Sequence, residues 1–285
     1  MLGKLWQVFK LRIGFAIMAC AVAGMAVSPG NPVAPWPAVM LALAVLLSAT
    51  SAGAFNHYVE RDLDARMART RNRPFVTGEF KPGAVWLSII LGLLALGVAI
   101  AGFATNWAAA AYVFLGAFVY GVVYSVWLKN RTWMNIVVGG LAGSFAVLAG
   151  AAAVNPGLSP VPVILAVVLF LWTPPHFWSL AMVLADEYRA ADVPMLPVVF
   201  GNKTAAWVIL GHSVALGILS LVPAGLGLGP IYLLGAGLGG SYFVVKSAAL
   251  VRAPCVATAR ANFRASLVQL SLLLLAAILD RWVEG

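Results

Sequence analysis

The stretch NHYVERDLDARMARTRNRP, Asn56 to Pro74, carries three of the chain's nine carboxylates and five of its eighteen Lys and Arg residues. Long apolar runs flank it, near residues 37–58 and 83–104. A hydrocarbon core takes roughly 20 apolar residues per helical span, so this charged island reads as the connection between two membrane-crossing helices. Outward from it the same alternation reaches both ends of the chain. Apolar runs near 12–28, 37–58, 83–104, 107–127, 133–154, 160–185, 205–226, 229–250 and 263–281 predict nine spans. The composition agrees, with 62% hydrophobic and 9% charged residues in 285 and a mean hydropathy of +0.97. Spanning strands would be shorter and alternate in polarity. The expected fold is all-α, a polytopic membrane protein. A bundle of about nine transmembrane helices surrounds a central cavity opening to the cytoplasmic side, in a single domain over residues 1–285.

The first run resembles a secretory signal, since Lys4, Lys10 and Arg12 precede it and Ala21-Val22-Ala23 fits a cleavage site. The apolar run continues to Val27, however, and the turn Ser28-Pro29-Gly30-Asn31-Pro32 closes it as a loop between spans. A retained span is expected.

The formal charge of +9 would suggest nucleic acid in a water-soluble chain. Here 17 of the 18 basic residues fall in alternate loops, and only Arg281 lies elsewhere. The positive-inside rule then places the amino terminus in the cytoplasm and the carboxyl terminus across the membrane. The basic balance reports topology, with room for anionic lipid contact, and no nucleic-acid partner is expected. Cys20, in the first span, and Cys255, in an inner loop, are not expected to pair, and both read as packing residues.

The carboxylates are as unevenly placed as the cations. Glu60, Asp62, Asp64 and Glu79 follow the second span, Asp186, Glu187 and Asp192 follow the sixth, and only Asp280 and Glu284 lie at the far terminus. Both spans run inward, so the two acidic ends emerge on one side and suggest a duplicated half, although no sequence repeat is visible. On a helix continued inward from the second span, Asn56, Glu60 and Asp64 are four apart and share a stripe, while Asp62 points away. Such amide and carboxylate oxygens suit Mg2+, which commonly keeps phosphate oxygens and water in its shell. Glu187, from the second cluster, is the expected fourth ligand, with Asp186 beside it in the catalytic set. Arg66, Arg69, Arg71, Arg73, Lys129, Arg131, Arg189 and Lys203 ring the same side. Guanidinium forks and ammonium groups fit phosphate oxygens, so a diphosphate site is expected, with Arg69, Arg73, Lys129, Arg131, Arg189 and Lys203 as its candidates. The competing reading is a solvated loop whose acids pair with neighbouring arginines.

The strings around these residues resemble a known family over nearly the whole chain. Asn56, Glu60 and Asp64, then Met67, Arg69-Thr70 and Arg73-Pro74, are similar to the first motif of the intramembrane aromatic (UbiA-type) prenyltransferases in its heme branch. WTPPHFWSLAMVLADEYRAADVPMLPVVFG, Trp172 to Gly201, resembles the second signature of that branch, and WLKNRTWMNIVVGGLAG its connecting segment. Glu60 and Glu187 stand where the family usually has Asp. Ser144-Phe145-Ala146 follow Gly143 where it commonly has a Pro-Pro pair, which leaves the acceptor open.

The resemblance implies Mg2+-dependent transfer of a farnesyl group from farnesyl diphosphate to the vinyl group of heme b, within the lipid bilayer of a bacterial inner (plasma) membrane. Heme A synthase or oxidase-assembly proteins enter as further partners. Aromatic faces can stabilise an allylic cation, and Phe55, Tyr58, Tyr120, Tyr124, Phe177 and Trp178 lie near the inner ends. His176 follows Pro174-Pro175, a pair expected to disturb the sixth helix, and is the candidate for heme contact. His57 and His212 read as structural. Two other readings stay open: a related prenyltransferase with another aromatic or tetrapyrrole acceptor, and a secondary transporter. A transporter usually binds near the bilayer midplane, whereas these acids crowd one edge.

Overall fold

The structure is a computed structural model. It describes residues 1–31 and 33–284; Pro32 of the first turn, Gly285 and the Glu284 side chain lie outside the described residues. In chain order the helices are α1 (Leu2–Val8), α2 (Leu11–Ala26), α3 (Pro35–Val59), α4 (Arg61–Asp64), α5 (Ala84–Ala104) and α6 (Trp107–Phe118). A π segment (Val119–Leu128) continues α6, followed by α7 (Asn135–Gly139), α8 (Leu141–Val154), α9 (Pro160–Val183), α10 (Ala185–Ala190), α11 (Leu196–Leu219), α12 (Pro230–Arg252) and α13 (Val256–Glu284). No strand occurs among the described residues. Among the described residues, eight helical stretches are long and apolar enough to cross a membrane, and counting the α1–α2 pair, bent by 52°, as one span brings the number to nine. The chain is a polytopic membrane protein.

Helix starts follow ordinary chemistry. Proline occupies the first turn of α3, α9, α11 and α12, where a missing N–H removes no intrahelical bond. Asn106 caps α6 by accepting from Ala109 N at 2.9 Å. The α12 start is capped from a distance: Asp280, buried on α13, accepts from Gly229 N at 2.6 Å and Tyr232 N at 3.0 Å. Small residues bring helix backbones together, since a Cβ on Gly24 or Gly150 would lie 2.1 Å from Val147 O or 1.8 Å from Ala21 O. Helices α2 and α8 therefore touch main chain to main chain. Polar links tie the last helices: Asn262 Nδ2 donates to Ser179 Oγ, Ser247 Oγ donates to Asn262 Oδ1, and Ser213 meets Ser247.

Several sequence expectations are corrected. Helix α13 starts at Val256 rather than 263, and α11 at Leu196 rather than 205, with Gly201 (φ 81) breaking its first turns. Hydropathy marks where hydrocarbon ends, whereas helical hydrogen bonding continues into the interface. Helix α9 runs unbroken through Pro174 and Pro175; neighbouring helices and side-chain hydroxyls make such residues tolerable in a membrane bundle. Cys255 is exposed, unlike the buried Cys20, because its three-residue connection leaves α12 and α13 for solvent.

Candidate active site

One cavity, of about 660 Å³, gathers residues from the α1–α2 break, α3, α4, the following loop, the π segment, α9 and α10. Its polar wall begins with Asn56, Glu60 and Asp64. The helix breaks at Glu60 (φ −91°, ψ 7°) instead of continuing straight. Glu60 N still donates to Asn56 O and Asp64 N to Glu60 O, at 3.0 and 2.8 Å, so the spacing of four survives the break. All three side chains are buried and line the cavity.

Each has a definite partner. Lys129 pairs with Glu60 through Oε2, and Arg73 Nη1 donates to Asp64 Oδ2 at 2.6 Å. Lys10 Nζ donates to Asn56 Oδ1 at 2.5 Å and to the Tyr120 hydroxyl at 2.8 Å. Asn56 Nδ2 in turn donates to Ser125 Oγ at 2.8 Å, and Ser125 Oγ to Tyr120 O at 2.8 Å. These contacts hold the second span against the π segment. The wider π turn, with Lys129 N bonded to Tyr124 O, brings Tyr120, Tyr124 and Lys129 to one cavity wall. The two phenol rings stack with centroids 5.8 Å apart.

Five cations, Lys10, Arg12, Arg69, Arg73 and Lys129, line this space against two carboxylates. The excess suits a polyanion. The cavity also has apolar Ile136, Phe177 and Leu180 in its lining. Tyr188, on α10, also lines it. Burial pushes its phenol above the usual range, while Arg69 pulls it down and Glu60 up.

The second acidic cluster is built differently. Asp186 is exposed and accepts from Arg189 Nη1 at 2.7 Å. Glu187 Oε2 accepts from Arg69 N at 3.2 Å. Exposed Asp192 lies 3.6 Å from Arg66 and borders a separate cavity of about 500 Å³ with Glu60, Asp62 and Arg66. None of Asp186, Glu187 and Asp192 lines the main cavity. The loop arginines thus tie the two clusters together without bringing their carboxylates to one point, and the symmetry of a duplicated half is not repeated in their surroundings. Among the described residues, no three His, Cys, Asp or Glu side chains form a group able to hold a metal ion.

Of the other candidates, Arg131, Arg189 and Lys203 are exposed and outside the cavity, as is Arg71. Trp178 is buried beside Met182, Ile209 and Leu250, edge-on to His212. Tyr58 packs edge-on against Phe75. His176 lies between the Trp172 and Phe263 rings, at 4.3 and 4.5 Å, with Nδ1 2.7 Å from Ser266 Oγ. Ser266 has one hydroxyl proton and gives it to Phe263 O. With the Ser266 proton on Phe263 O, His176 Nδ1 is the donor of this pair and the neutral ring presents Nε2 as an acceptor.

From the sequence, Lys10 counts only toward orientation and His57 reads as structural; both line the cavity, and His57 Nδ1 is buried without a protein hydrogen-bonding partner. Ser125 carries a usable signal, as a lone hydroxyl within an apolar span. The oxygen set admits a hard cation. Asn56, Glu60 and Asp64 offer oxygens on one wall, and Glu60 Oε1 is a buried oxygen with no protein hydrogen-bonding partner.

Residues 17–273 match the model of the UbiA prenyltransferase family. Protoheme IX farnesyltransferase 2 of Paramagnetospirillum magneticum is 57% identical over 284 residues, covering 100% of this chain and 99% of the relative. Protoheme IX farnesyltransferase 1 of the same organism is 46% identical, covering 96% and 97%. Among solved structures, a digeranylgeranylglyceryl phosphate synthase superposes with a TM-score of 0.81 at 18% identity, covering 98% of each chain. A UbiA homolog from Archaeoglobus fulgidus, bound to DMAPP and Mg2+, gives 0.75 at 18% identity, covering 96% and 99%.

Proposed function

The chain belongs to the UbiA prenyltransferase family, and from that membership we propose that it transfers a farnesyl group from farnesyl diphosphate to a vinyl group of heme b. The observation that carries this reading is a single cavity lined both by five cations and by apolar and aromatic side chains. That combination matches a donor with a charged diphosphate and an apolar tail. The full-length relatives named protoheme IX farnesyltransferase support the acceptor and the prenyl length.

In this mechanism Lys10, Arg69, Arg73 and Lys129 bind the diphosphate and stabilise the charge that grows as the allylic C–O bond breaks. Mg2+, held by Asn56, Glu60 and Asp64, would supply Lewis-acid stabilisation of the same leaving group. Tyr120 and Tyr124 present ring faces to the farnesyl cation, and the surrounding apolar wall excludes stray nucleophiles. The farnesyl carbon bonds to the terminal vinyl carbon, water oxygen to the other, and one proton is released. Asp186, Glu187, Arg131, Arg189 and Lys203 stand outside this cavity in the structure. Glu187 therefore acts through Arg69. His176 and Trp178 also lie outside the cavity lining. His176 Nε2 is the atom assigned to heme contact, at the side of Phe177, which does line the cavity, whereas Trp178 is a core residue packed on His212.

The distribution of basic residues supports an amino terminus in the cytoplasm of a bacterial inner membrane. So apolar a product calls for a receiving protein, heme A synthase or an oxidase-assembly factor. Incubation of the purified protein with heme b, farnesyl diphosphate and Mg2+, followed by mass analysis of the porphyrin, tests the assignment. A hydroxyethylfarnesyl adduct, whose formation a chelator prevents, is expected; unmodified porphyrin with an active prenyl donor control would refute it.

A further inference from the structure

The side of the bundle that carries the cavity has a second electrostatic feature. From Val193 to Leu279 the chain has no acidic residue, yet this region holds Lys203, Lys246, Arg252, Arg260 and Arg264. Among the described residues, none of these five cations forms an ion pair. Around the cavity, by contrast, Lys4 pairs with Glu79, Arg61 with Asp62, Arg66 with Asp192 and Arg189 with Asp186. Every carboxylate of this face precedes Val193 in the chain, so the segments from Val193 to Leu279 bring only positive charge to it.

The uncompensated cations sit above lipid-like surface. On α13, exposed Arg260 and Arg264 share a helical face with exposed Leu267, Val268 and Leu275. The opposite face, with Asn262, Ser266 and Gln269, is fully buried. On α12, exposed Leu234, Leu238 and Val245 form a stripe that ends at exposed Arg252. The short Ala253–Cys255 connection joins the two helices and brings the three arginines to the same end. Each stripe places a guanidinium at the interface and aliphatic side chains below it.

We infer that the α12–α13 turn binds an anionic phospholipid, with Arg252, Arg260 and Arg264 on the phosphate and the two aliphatic stripes along the acyl chains. Guanidinium forks match phosphate oxygens, and basic groups at a membrane interface attract anionic headgroups. A zwitterionic lipid offers the same tails without the net charge. This inference is independent of the reaction proposed above.

The test uses the full chain in nanodiscs containing equal phosphatidylglycerol and phosphatidylcholine, transferred to neutral detergent, with retained lipid counted by native mass spectrometry. Wild type is expected to retain phosphatidylglycerol roughly tenfold over phosphatidylcholine. The triple variant Arg252→Gln, Arg260→Gln, Arg264→Gln should lose that preference, and the corresponding triple Arg→Lys variant should keep most of it. Equal retention of both lipids by wild type would overturn the inference. So would an unchanged preference in the Gln variant, or displacement of the lipid by inorganic phosphate at equal concentration, which would mark a site for the free anion. If the Gln variant does not fold, the wild-type preference and its persistence in the Lys variant still decide the matter.

Discussion

The two acidic clusters lie on one side of the bundle and are tied together by loop arginines, yet their electrostatic environments are opposite. Glu60 and Asp64 are buried and paired with Lys129 and Arg73, with Lys10 on the adjoining Asn56. Asp186 and Asp192 are exposed, and their arginine partners are exposed too. Exposed pairs are screened and contribute about 0–1 kcal/mol, whereas removing one partner of a buried pair leaves an uncompensated charge and costs about 3–5 kcal/mol. The same residue types therefore serve different ends: one cluster fixes charge inside a cavity, the other joins loops around it.

The largest break in this comparison comes from Glu60→Gln and Asp64→Asn. Each is expected to lower turnover roughly 10³-fold, in line with loss of a preorganised electrostatic group, and circular dichroism should show the helical content retained. Lys10→Met should follow, with a loss of roughly 10²-fold in kcat/KM, measured by porphyrin product formation across farnesyl diphosphate concentrations. Glu187→Ala removes the acceptor for Arg69 N and should raise KM for farnesyl diphosphate up to about tenfold with little change in kcat, since one hydrogen bond to a charged group contributes about 1.5–3 kcal/mol at most. Asp186→Asn and Asp192→Asn should change either constant by less than about twofold. If Asp186→Asn disabled the protein as Asp64→Asn does, the contrast between the clusters would be lost.

Asp280 provides the smallest effect on activity and a separate one on stability. It lies on the side away from the cavity, holding two backbone N–H groups at the start of α12. Asp280→Ala should destabilise the chain by roughly 1–3 kcal/mol through unsatisfied donors, read as a lower Tm in detergent, with turnover below the transition unchanged.

Much of the scaffold is legible because spans leave a local signature. The runs around 37–58 and 83–104 are long, apolar and separated by charge, and the corresponding helices are Pro35–Val59 and Ala84–Ala104. Asn56, Glu60 and Asp64 are legible as a stripe because their spacing of four survives a backbone break. Arg131, Arg189 and Lys203 cannot be separated from Arg73 and Lys129 by type or loop position. Side-chain direction and burial, which distinguish them, are not local properties. Lys10 reads as an orienting charge for the same reason: its left-handed backbone turns it inward only once α1 and α2 bend around it.

By itself the amino-acid sequence determined the all-helical membrane fold, the succession of apolar spans and the crowding of charge on alternate loops. Transfer of apolar length into hydrocarbon depends on residues that are neighbours in the chain. Which of those charges enter the cavity was decided only by tertiary structure, because Lys10, Asn56, Arg73 and Lys129 come from separate segments that packing alone brings within bonding distance.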